Sequence, residues 1–519
     1  MPLRQRSLRA VFDYAWHLLP GAEQRAFSAL SIFPASFSRE AAQTITGIST
    51  PVLASLVARS LLRRQQDGRF ELHQLLRQYA AQQLDTAQRS ELADRHAAYF
   101  AQWLNRQEEY LHTPQCAAIF QAMALDHDNL RAYWQWALRR QQIPPLAQGL
   151  ITFRLFYSDQ GRYAEGIEWM AQTDAVLSPL AAHETDESPV RRLWGRVLAR
   201  WAAFCLWGGE NARAGELLAQ ALTIARHTGD ASELGFILLN LGNFSVLAGA
   251  FDKAGEAFGE ALVHYRTSGA LAGVADALSA LGALHNTTGD LASARANLEE
   301  SVALSRKIGD ERGLRSSLTN LGNVFYLCGD PMGARENYLA VLPLCQRAGD
   351  RSAEAILLCN LGTLAYESGN LDEAEAMFQQ GIVIFDELRT TQHLIHATAS
   401  LAEVHITQKR YDQAHTELRW TLQTVIDEQI HQMAPLAIYQ IALLYQAVGV
   451  HDEALKLLLW VESQPASLPE YQQEIERRLR ILQDEVGAEG YDHARAAAAQ
   501  VTANAVLAGL QRALPPVRP

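Results

Sequence analysis

Asparagine, threonine and tyrosine side chains recur in the middle of this chain at positions related by a 40-residue interval. An amide group both donates and accepts hydrogen bonds, so a row of amides suits the backbone of an extended peptide. We predict that this set lines a ligand- or peptide-binding groove; the alternatives are that its members are solvated or bond between neighbouring repeats. The set comprises Asn240, Asn243, Asn286, Asn320, Asn323, Tyr326, Asn360, Thr363 and Tyr366.

Other residue patterns that support catalysis or metal binding are weak or missing in the sequence. The acidic pairs Glu299-Glu300 and Asp372-Glu373 could do acid–base work, but they fall on helix faces that we expect to be solvated. The five cysteines are scattered, no His-Glu-x-x-His occurs, and no Gly-x-x-x-x-Gly-Lys-Ser/Thr loop could cradle a phosphate. We therefore predict no catalytic residue, no metal ligand, no cofactor and no enzymatic activity.

A strict 40-residue repeat surrounds the polar set. Leu-Gly pairs at 241, 281, 321 and 361 weaken to Leu-Ala at 401 and Ile-Ala at 441. Three further columns have the same period. They are an alanine column (Ala214, Ala254, Ala294, Ala334, Ala374, Ala414, Ala454), a bulky apolar column four residues later (from Leu218 to Leu458) and a glycine column (Gly209, Gly249, Gly289, Gly329, Gly369, Gly449) with Lys409 as its exception.

Each column has a physical reason in a stack of paired helices. Apolar residues such as Leu234, Ile237, Leu238 and Leu241 follow a helical spacing. A glycine between two such stripes ends the first helix in a left-handed cap, and small residues let the paired helices approach closely. One pair cannot cover its own apolar face, so the pairs must stack, and the first helix of each pair lines the concave side. This placement puts the polar set in the groove.

The order of these columns resembles the tetratricopeptide repeat, in a long-repeat form like that of kinesin light chains and bacterial regulators. The resemblance covers roughly residues 195–465. It implies an all-α fold, a right-handed superhelical solenoid. We predict repeats over residues 151–465 and a helical cap with a C-terminal tail over residues 466–519, including one alanine-rich helix over Tyr491–Leu514.

The segment over residues 1–85 lacks the repeat. Its pattern predicts helices near 7–18, 22–31, 38–46 and 50–60, then a hairpin of Leu61–Arg64 and Arg69–Leu72 that turns at Gln66-Asp67-Gly68. Helices followed by such a hairpin predict a small winged-helix domain over residues 1–85, joined to the repeats by a helical connector over residues 86–150.

Phrases such as Glu71-Leu-His-Gln-Leu-Leu-Arg-Gln-Tyr-Ala80 in residues 1–140 resemble bacterial signal-transduction ATPases of the NB-ARC type. In that family a winged helix follows the nucleotide-binding core. A Met-His-Asp triplet of the family, which contacts bound ADP, corresponds here to Leu72-His73-Gln74. The resemblance implies that His73 senses nucleotide if an NTPase core is present, although Gln74 replaces the acid. A capping or core role for His73 is the alternative.

The charge of the chain bears on whether its partner is a nucleic acid or membrane, or instead a protein, peptide or small molecule. The net charge is −12, and residues 1–90 carry eleven arginines against six acidic residues, so the remainder is strongly acidic. An acidic solenoid disfavours nucleic acid and membranes as ligands, and no apolar stretch is long enough to span a bilayer.

We expect a cytoplasmic, non-catalytic sensor or scaffold region of a signal-transduction NTPase or transcriptional regulator. Its partners would be a protein or peptide, or a small-molecule inducer, with the NTPase core in cis or trans. The alternative is a DNA-binding winged-helix regulator with a repeat-type effector domain.

Overall fold

A computed structural model describes residues 11–185, 187–464, 471–498 and 501–513. It is helical almost throughout and confirms the predicted all-α, tetratricopeptide-like solenoid. The chain divides into two compact units, residues 1–320 and residues 321–519. The bounds of the four domains predicted from the sequence stay predictions, and so does the winged-helix assignment.

The first unit begins with short helices and a small hairpin. Residues 11–17 are helical, and helices follow at Gly21–Ala29, Arg39–Thr46 and Thr50–Ala58. Residues 7–10 of the predicted first helix lie outside the described residues. The strands Arg63–Arg64 and Phe70–Glu71 pair antiparallel.

Both strands are shorter than the sequence predicted. The amides of Leu61 and Leu62 donate to the Leu56 carbonyl, at 3.0 and 3.2 Å, so these residues close the preceding helix instead of extending the strand. Phe37 pairs with Phe70 as an isolated bridge beside the hairpin. The turn itself is as predicted, because Gly68 has a φ of +83°.

Long helices make up the rest of the first unit. The later pairs contain two helices of similar length; one such pair is formed by Ala231–Leu247 and Phe251–Ser268. The helices in order are Gln74–Gln82, Thr86–Gln107, Cys116–Leu125, His127–Arg139, Ile143–Asp159, Tyr163–Ala181, Pro189–Trp207, Asn211–Thr228, Ala231–Leu247, Phe251–Ser268, Leu271–Thr288 and Leu291–Ile308; Glu311–Leu327 contains the boundary between the units.

The second unit continues the helix pairs and ends in the cap. After the helix Glu311–Leu327, its helices are Pro331–Ala348, Arg351–Glu367, Leu371–Glu387, Thr391–Thr407, Tyr411–Asp427, Ala434–Ala447 and His451–Ser463, followed by Gln472–Val486, Ala488–Ala498 and Ala503–Ala513. The prediction of one helix over Tyr491–Leu514 was wrong, because residues 501 and 502 are not helical. Residues 499–500 and 514 of that predicted helix lie outside the described residues.

The turns between helices have the backbone conformation that the glycine column predicted. Gly249 has a φ of +70° and Gly289 a φ of +84°, in the left-handed region that favours glycine. Lys409, the exception in the column, adopts the same conformation with a φ of +61°. The backbone geometry of the turn is therefore kept even where the residue is not glycine.

Close helix packing explains the other three columns. Ala254, Ala294 and Ala334 are fully buried. A Cβ atom built on Gly242 would lie 2.3 Å from the Phe258 ring, so only glycine allows that ring to pack against the first helix. The core is thus a series of interlocking layers along the chain.

No single helix among the described residues is long and apolar enough to cross a membrane. One pair, Arg39–Thr46 with Thr50–Ala58, passes such a test by length and composition alone, and its two helices are bent by 114°.

Candidate functional site

In the second unit, two of the predicted groove residues meet at one buried tyrosine. The hydroxyl of Tyr338, a residue only 3% exposed, donates to the Asn323 side-chain oxygen at 2.7 Å. Burial raises the pKa of Tyr338 to about 12, and a hydrogen bond with the Asn360 side chain opposes that rise. Asn323 and Asn360 lie on neighbouring first helices, so this cluster joins adjacent repeats.

The two predicted aromatic residues also connect adjacent repeats. The Tyr326 hydroxyl donates to the Glu367 carboxylate on the next first helix. One repeat further, the Tyr366 hydroxyl lies 3.3 Å from a Glu403 carboxylate oxygen and 3.1 Å from the Thr407 hydroxyl. The alternative considered for the sequence pattern, bonding between neighbouring repeats, therefore describes these side chains.

Glu403 is a residue that the sequence analysis did not select. It accepts a hydrogen bond from the Gln440 side chain at 3.0 Å as well as from Tyr366. Burial raises the pKa of Glu403, and its hydrogen bond with Gln440 and the charge of Arg478 oppose the rise. A signal existed in the sequence, because Glu403 occupies the same repeat position as Asn323, two repeats further along the chain.

Two members of the predicted set hydrogen-bond within their own helices. The Asn240 amide, on a residue that is 5% exposed, donates to the Phe236 carbonyl at 2.8 Å. The Thr363 hydroxyl donates to the Cys359 carbonyl at 3.1 Å. Burial takes Asn240 out of reach of any partner that does not rearrange the repeat.

The other three members lie in the first unit and differ from the rest. Asn243, Asn286 and Asn320 are partly buried, and their side-chain amides hydrogen-bond to no described residue. The Asn286 oxygen is itself fully enclosed without a donor. They lie on three successive first helices, Ala231–Leu247, Leu271–Thr288 and Glu311–Leu327. No described residue uses the amides of these three side chains, so they are the members of the set best placed to bind a partner.

His73 lies at the start of a helix. Its Nδ1 atom accepts a hydrogen bond from the Leu75 amide at 3.3 Å, which caps the helix Gln74–Gln82. The side chain is exposed, so the capping contact leaves its other ring nitrogen accessible. Its assignment as a nucleotide sensor stays a prediction.

No metal centre can be built from the part of the chain that the structure describes, because no three His, Cys, Asp or Glu side chains converge there in a suitable arrangement. The cysteines at 205 and 345 are buried and form no disulfide. The polar chemistry of the candidate site is therefore that of amides, phenols and carboxylates.

The curated proteins that this chain resembles in sequence include transcriptional regulators. HTH-type transcriptional regulators of Mycobacterium tuberculosis and Mycobacterium bovis are 27% identical over 248 residues, which is 44% of this chain and 27% of each relative. The chain thus spans about a quarter of the length of these relatives.

Solved structures with a similar fold include a STAND protein with a tetratricopeptide repeat sensor from Pyrococcus horikoshii. It is 14% identical, with a TM-score of 0.46, over 97% of this chain and 67% of that one. The quorum sensor NprR from B. thuringiensis is 12% identical, with a TM-score of 0.47, over 68% of this chain and 98% of that one.

Family models match the repeats directly. A short match to anaphase-promoting complex subunit 5 covers residues 198–248. The model of the MalT-like TPR region matches residues 244–515, more than half of the chain and most of the repeats described above. The chain belongs to the MalT-like TPR region family.

Proposed function

We propose that this chain is a non-catalytic sensor or scaffold region that binds a protein or peptide through the first helices of its repeats. A small-molecule inducer is the other ligand class that such a surface could take. Membership of a TPR-region family supports a binding role. The similarity to HTH-type transcriptional regulators supports placing that role in a regulator, with any NTPase core acting in cis or trans.

The observation that carries this proposal is the trio Asn243, Asn286 and Asn320. Three successive first helices each present a half-buried amide without a hydrogen-bond partner among the described residues. An extended peptide offers alternating N–H and C=O groups along its length, which amides can both accept from and donate to. The remaining residues of the set already hydrogen-bond within the protein, either to a neighbouring repeat or within their own helix.

A display library of random peptides, selected against the purified chain, tests the proposal even though the natural partner is unidentified. The best peptide would be titrated calorimetrically into wild type and into the triple variant Asn243→Ala, Asn286→Ala, Asn320→Ala. Each lost amide contact should cost about 0.5–1.5 kcal/mol, so the triple variant should bind about tenfold more weakly or worse.

The same variant supplies its own structural control. Alanine is the better helix former, so replacing three unpartnered amides should leave the Tm unchanged or slightly higher. Weaker binding with an unchanged Tm supports the proposal. If the selected peptide binds the variant as tightly as wild type, the amides are not the binding surface.

The lack of catalysis is also a proposal with a direct test. Purified chain should release no phosphate from ATP above the buffer background, because no phosphate-cradling loop occurs in its sequence. Turnover that is lost on substituting a residue of this chain would overturn this part of the proposal.

DNA binding is a second candidate, favoured by the excess of arginine in residues 1–90 and by the description of the curated relatives. The helix Thr50–Ala58 offers bases few polar groups, and Arg59 at its end is paired with Glu23 at 2.9 Å. Filter binding of duplex DNA at two salt concentrations separates the candidates: retention that falls steeply with salt favours DNA.

A further inference from the structure

One short segment in the first unit contacts a repeat that lies far along the chain. The segment over residues 108–116 follows the helix Thr86–Gln107, and we call it the strap. The Nδ1 atom of its His112 lies 3.1 Å from a carboxylate oxygen of Asp310, 198 residues further along. In a stack of repeats each unit contacts mainly its neighbours, so stacking does not account for this contact.

Asp310 is a helix cap that is buried, unlike an equivalent cap in the same unit. One of its carboxylate oxygens accepts two backbone amides from the first turn of the helix Glu311–Leu327, both at 3.1 Å. The other oxygen faces His112. Asp230 caps the helix Ala231–Leu247 in the same way but is exposed, whereas Asp310 is 2% exposed. The strap therefore buries a cap that this fold otherwise leaves in solvent.

The glycine turn before Asp310 is covered as well. A Cβ atom built on Gly309 would lie 3.0 Å from the Pro114 ring of the strap. At the equivalent turns, a Cβ atom built on Gly229, Gly269 or Gly349 would meet no described atom within 4 Å. Two neighbouring residues of the strap thus cover one specific turn of the repeats.

The strap has a defined shape but only a small anchor. It begins with a short 3-10 helix over Glu108–Tyr110, and the Thr113 hydroxyl donates to the Tyr110 carbonyl at 2.8 Å. Leu111 is 4% exposed and belongs to the apolar core of the first unit. Tyr110 and Pro114 are exposed. One buried leucine and the contact with Asp310 therefore hold a segment whose outer face lies in solvent.

The beginning of the strap lies near a different first helix from its end. Burial raises the pKa of Glu108, and the charges of two arginines on the helix Pro189–Trp207 oppose that rise. His112, four residues later, reaches the helix Glu311–Leu327 through its cap. The first helices between these two in chain order carry two of the three unpartnered asparagines; they are Ala231–Leu247 and Leu271–Thr288.

We propose that the strap closes over the first helices of the first unit and must release before a peptide can lie along them. The proposal rests on the proposed peptide binding and adds a regulation that the asparagines do not supply. Losing one hydrogen bond to a charged group shifts an equilibrium by about tenfold or more. Such a contact favours the closed state, yet a ligand that binds only the open state can reverse it.

Release of the strap can be measured without any ligand. Cys116, at the end of the strap, is partly buried, and burial raises its pKa to about 11. Iodoacetamide alkylates accessible thiolates, so the alkylation rate of Cys116, read by mass spectrometry, reports release of the strap. Cys205 is buried in the same unit and serves as the internal control for a general loosening of the fold.

Four variants isolate the contact between His112 and Asp310. His112→Phe removes the hydrogen bond and keeps a ring, so Cys116 should be alkylated about tenfold faster and Cys205 at an unchanged rate. Asp310→Ala should act alike, and the double variant should be no faster than either single one, because both remove the same contact. Asp230→Ala is the matched control: it removes an equivalent cap that forms no hydrogen bond with the strap, so Cys116 should react as in wild type.

The gating step is tested with the library-selected peptide. His112→Phe should bind this peptide about threefold to tenfold more tightly in calorimetry, because a closed fraction no longer lowers the apparent affinity. By linkage, saturating peptide should in turn speed alkylation of Cys116 in the wild-type chain.

Different results would overturn different parts of the inference. Unchanged alkylation of Cys116 in His112→Phe means that the contact does not hold the strap. Equal acceleration by Asp230→Ala and Asp310→Ala means that loss of a cap explains the effect. If the strap releases in His112→Phe but the peptide binds no more tightly, gating is refuted and peptide binding stands. If no peptide binds either wild type or His112→Phe, the proposed function fails and the gating fails with it.

Discussion

Asn323 and Asn320 lie one turn apart on the helix Glu311–Leu327, yet the structure gives them different roles. Asn323 accepts the Tyr338 hydroxyl at 2.7 Å, whereas the Asn320 amide has no partner among the described residues. We expect Asn323→Ala to destabilise the repeat and Asn320→Ala to leave it unchanged or slightly stabilised.

The magnitude follows from comparing these two variants. Both replacements gain helix propensity, up to about 0.7 kcal/mol each, so the difference between them cancels that gain. What remains is the hydrogen bond to a buried hydroxyl, about 0.5–1.5 kcal/mol, and somewhat more if Tyr338 is left unsatisfied. A double-mutant cycle with Tyr338→Phe should return the same energy as the coupling between the two residues.

Hydrogen exchange is the suitable assay, because a repeat protein opens locally and not as one unit. Opening free energies would be read from the amides of Glu311–Leu327 and Pro331–Ala348 in wild type, both single variants and the double variant. Equal protection in Asn323→Ala and Asn320→Ala would refute the claim that this contact stabilises the stack. A coupling energy near zero between Asn323 and Tyr338 would refute it as well.

Three further predictions concern packing and pH. Gly242→Ala should lower stability by about 1–3 kcal/mol, because its Cβ would lie 2.3 Å from the Phe258 ring. In the control Gly255→Ala the new Cβ would lie 3.6 Å from the nearest atom, on Leu284, so this variant should gain about 0.5–1 kcal/mol. Equal Tm values for the two variants would contradict this prediction. Ala294→Leu and Ala334→Leu should each cost about 1–3 kcal/mol in thermal melting, since both sites are fully buried; neutral behaviour of both would mean that the repeat register is wrong. Burial raises the pKa of Glu403, so the folded state holds this proton more tightly than the unfolded state. The free energy of unfolding of wild type therefore falls as pH rises above the usual pKa of a glutamate. Glu403→Gln should therefore raise the Tm relative to wild type at pH 7 but not at pH 4; a gain equal at both pH values would contradict the assignment.

The backbone of the repeats could be predicted from sequence because each column reports a local requirement. A left-handed turn selects glycine at 249 and 289, and a close helix contact selects alanine at 254 and 294. The same geometry persists at Lys409. Such requirements recur in every repeat, so the regular spacing of the residues reveals them without any structure.

Partners between repeats were harder to predict. The side-chain amides of Asn323 and Asn360 meet at Tyr338 only after two neighbouring repeats stack. The distance of each amide from the Tyr338 hydroxyl therefore depends on how those repeats pack.

The most direct test of the binding role is a hydrogen-exchange footprint of the library-selected peptide on wild-type chain. We predict slower exchange in the first helices Ala231–Leu247, Leu271–Thr288 and Glu311–Leu327, with the second helices Phe251–Ser268 and Leu291–Ile308 unchanged. Protection confined to those second helices, or no protection at saturating peptide, would contradict binding through the first helices of the repeats.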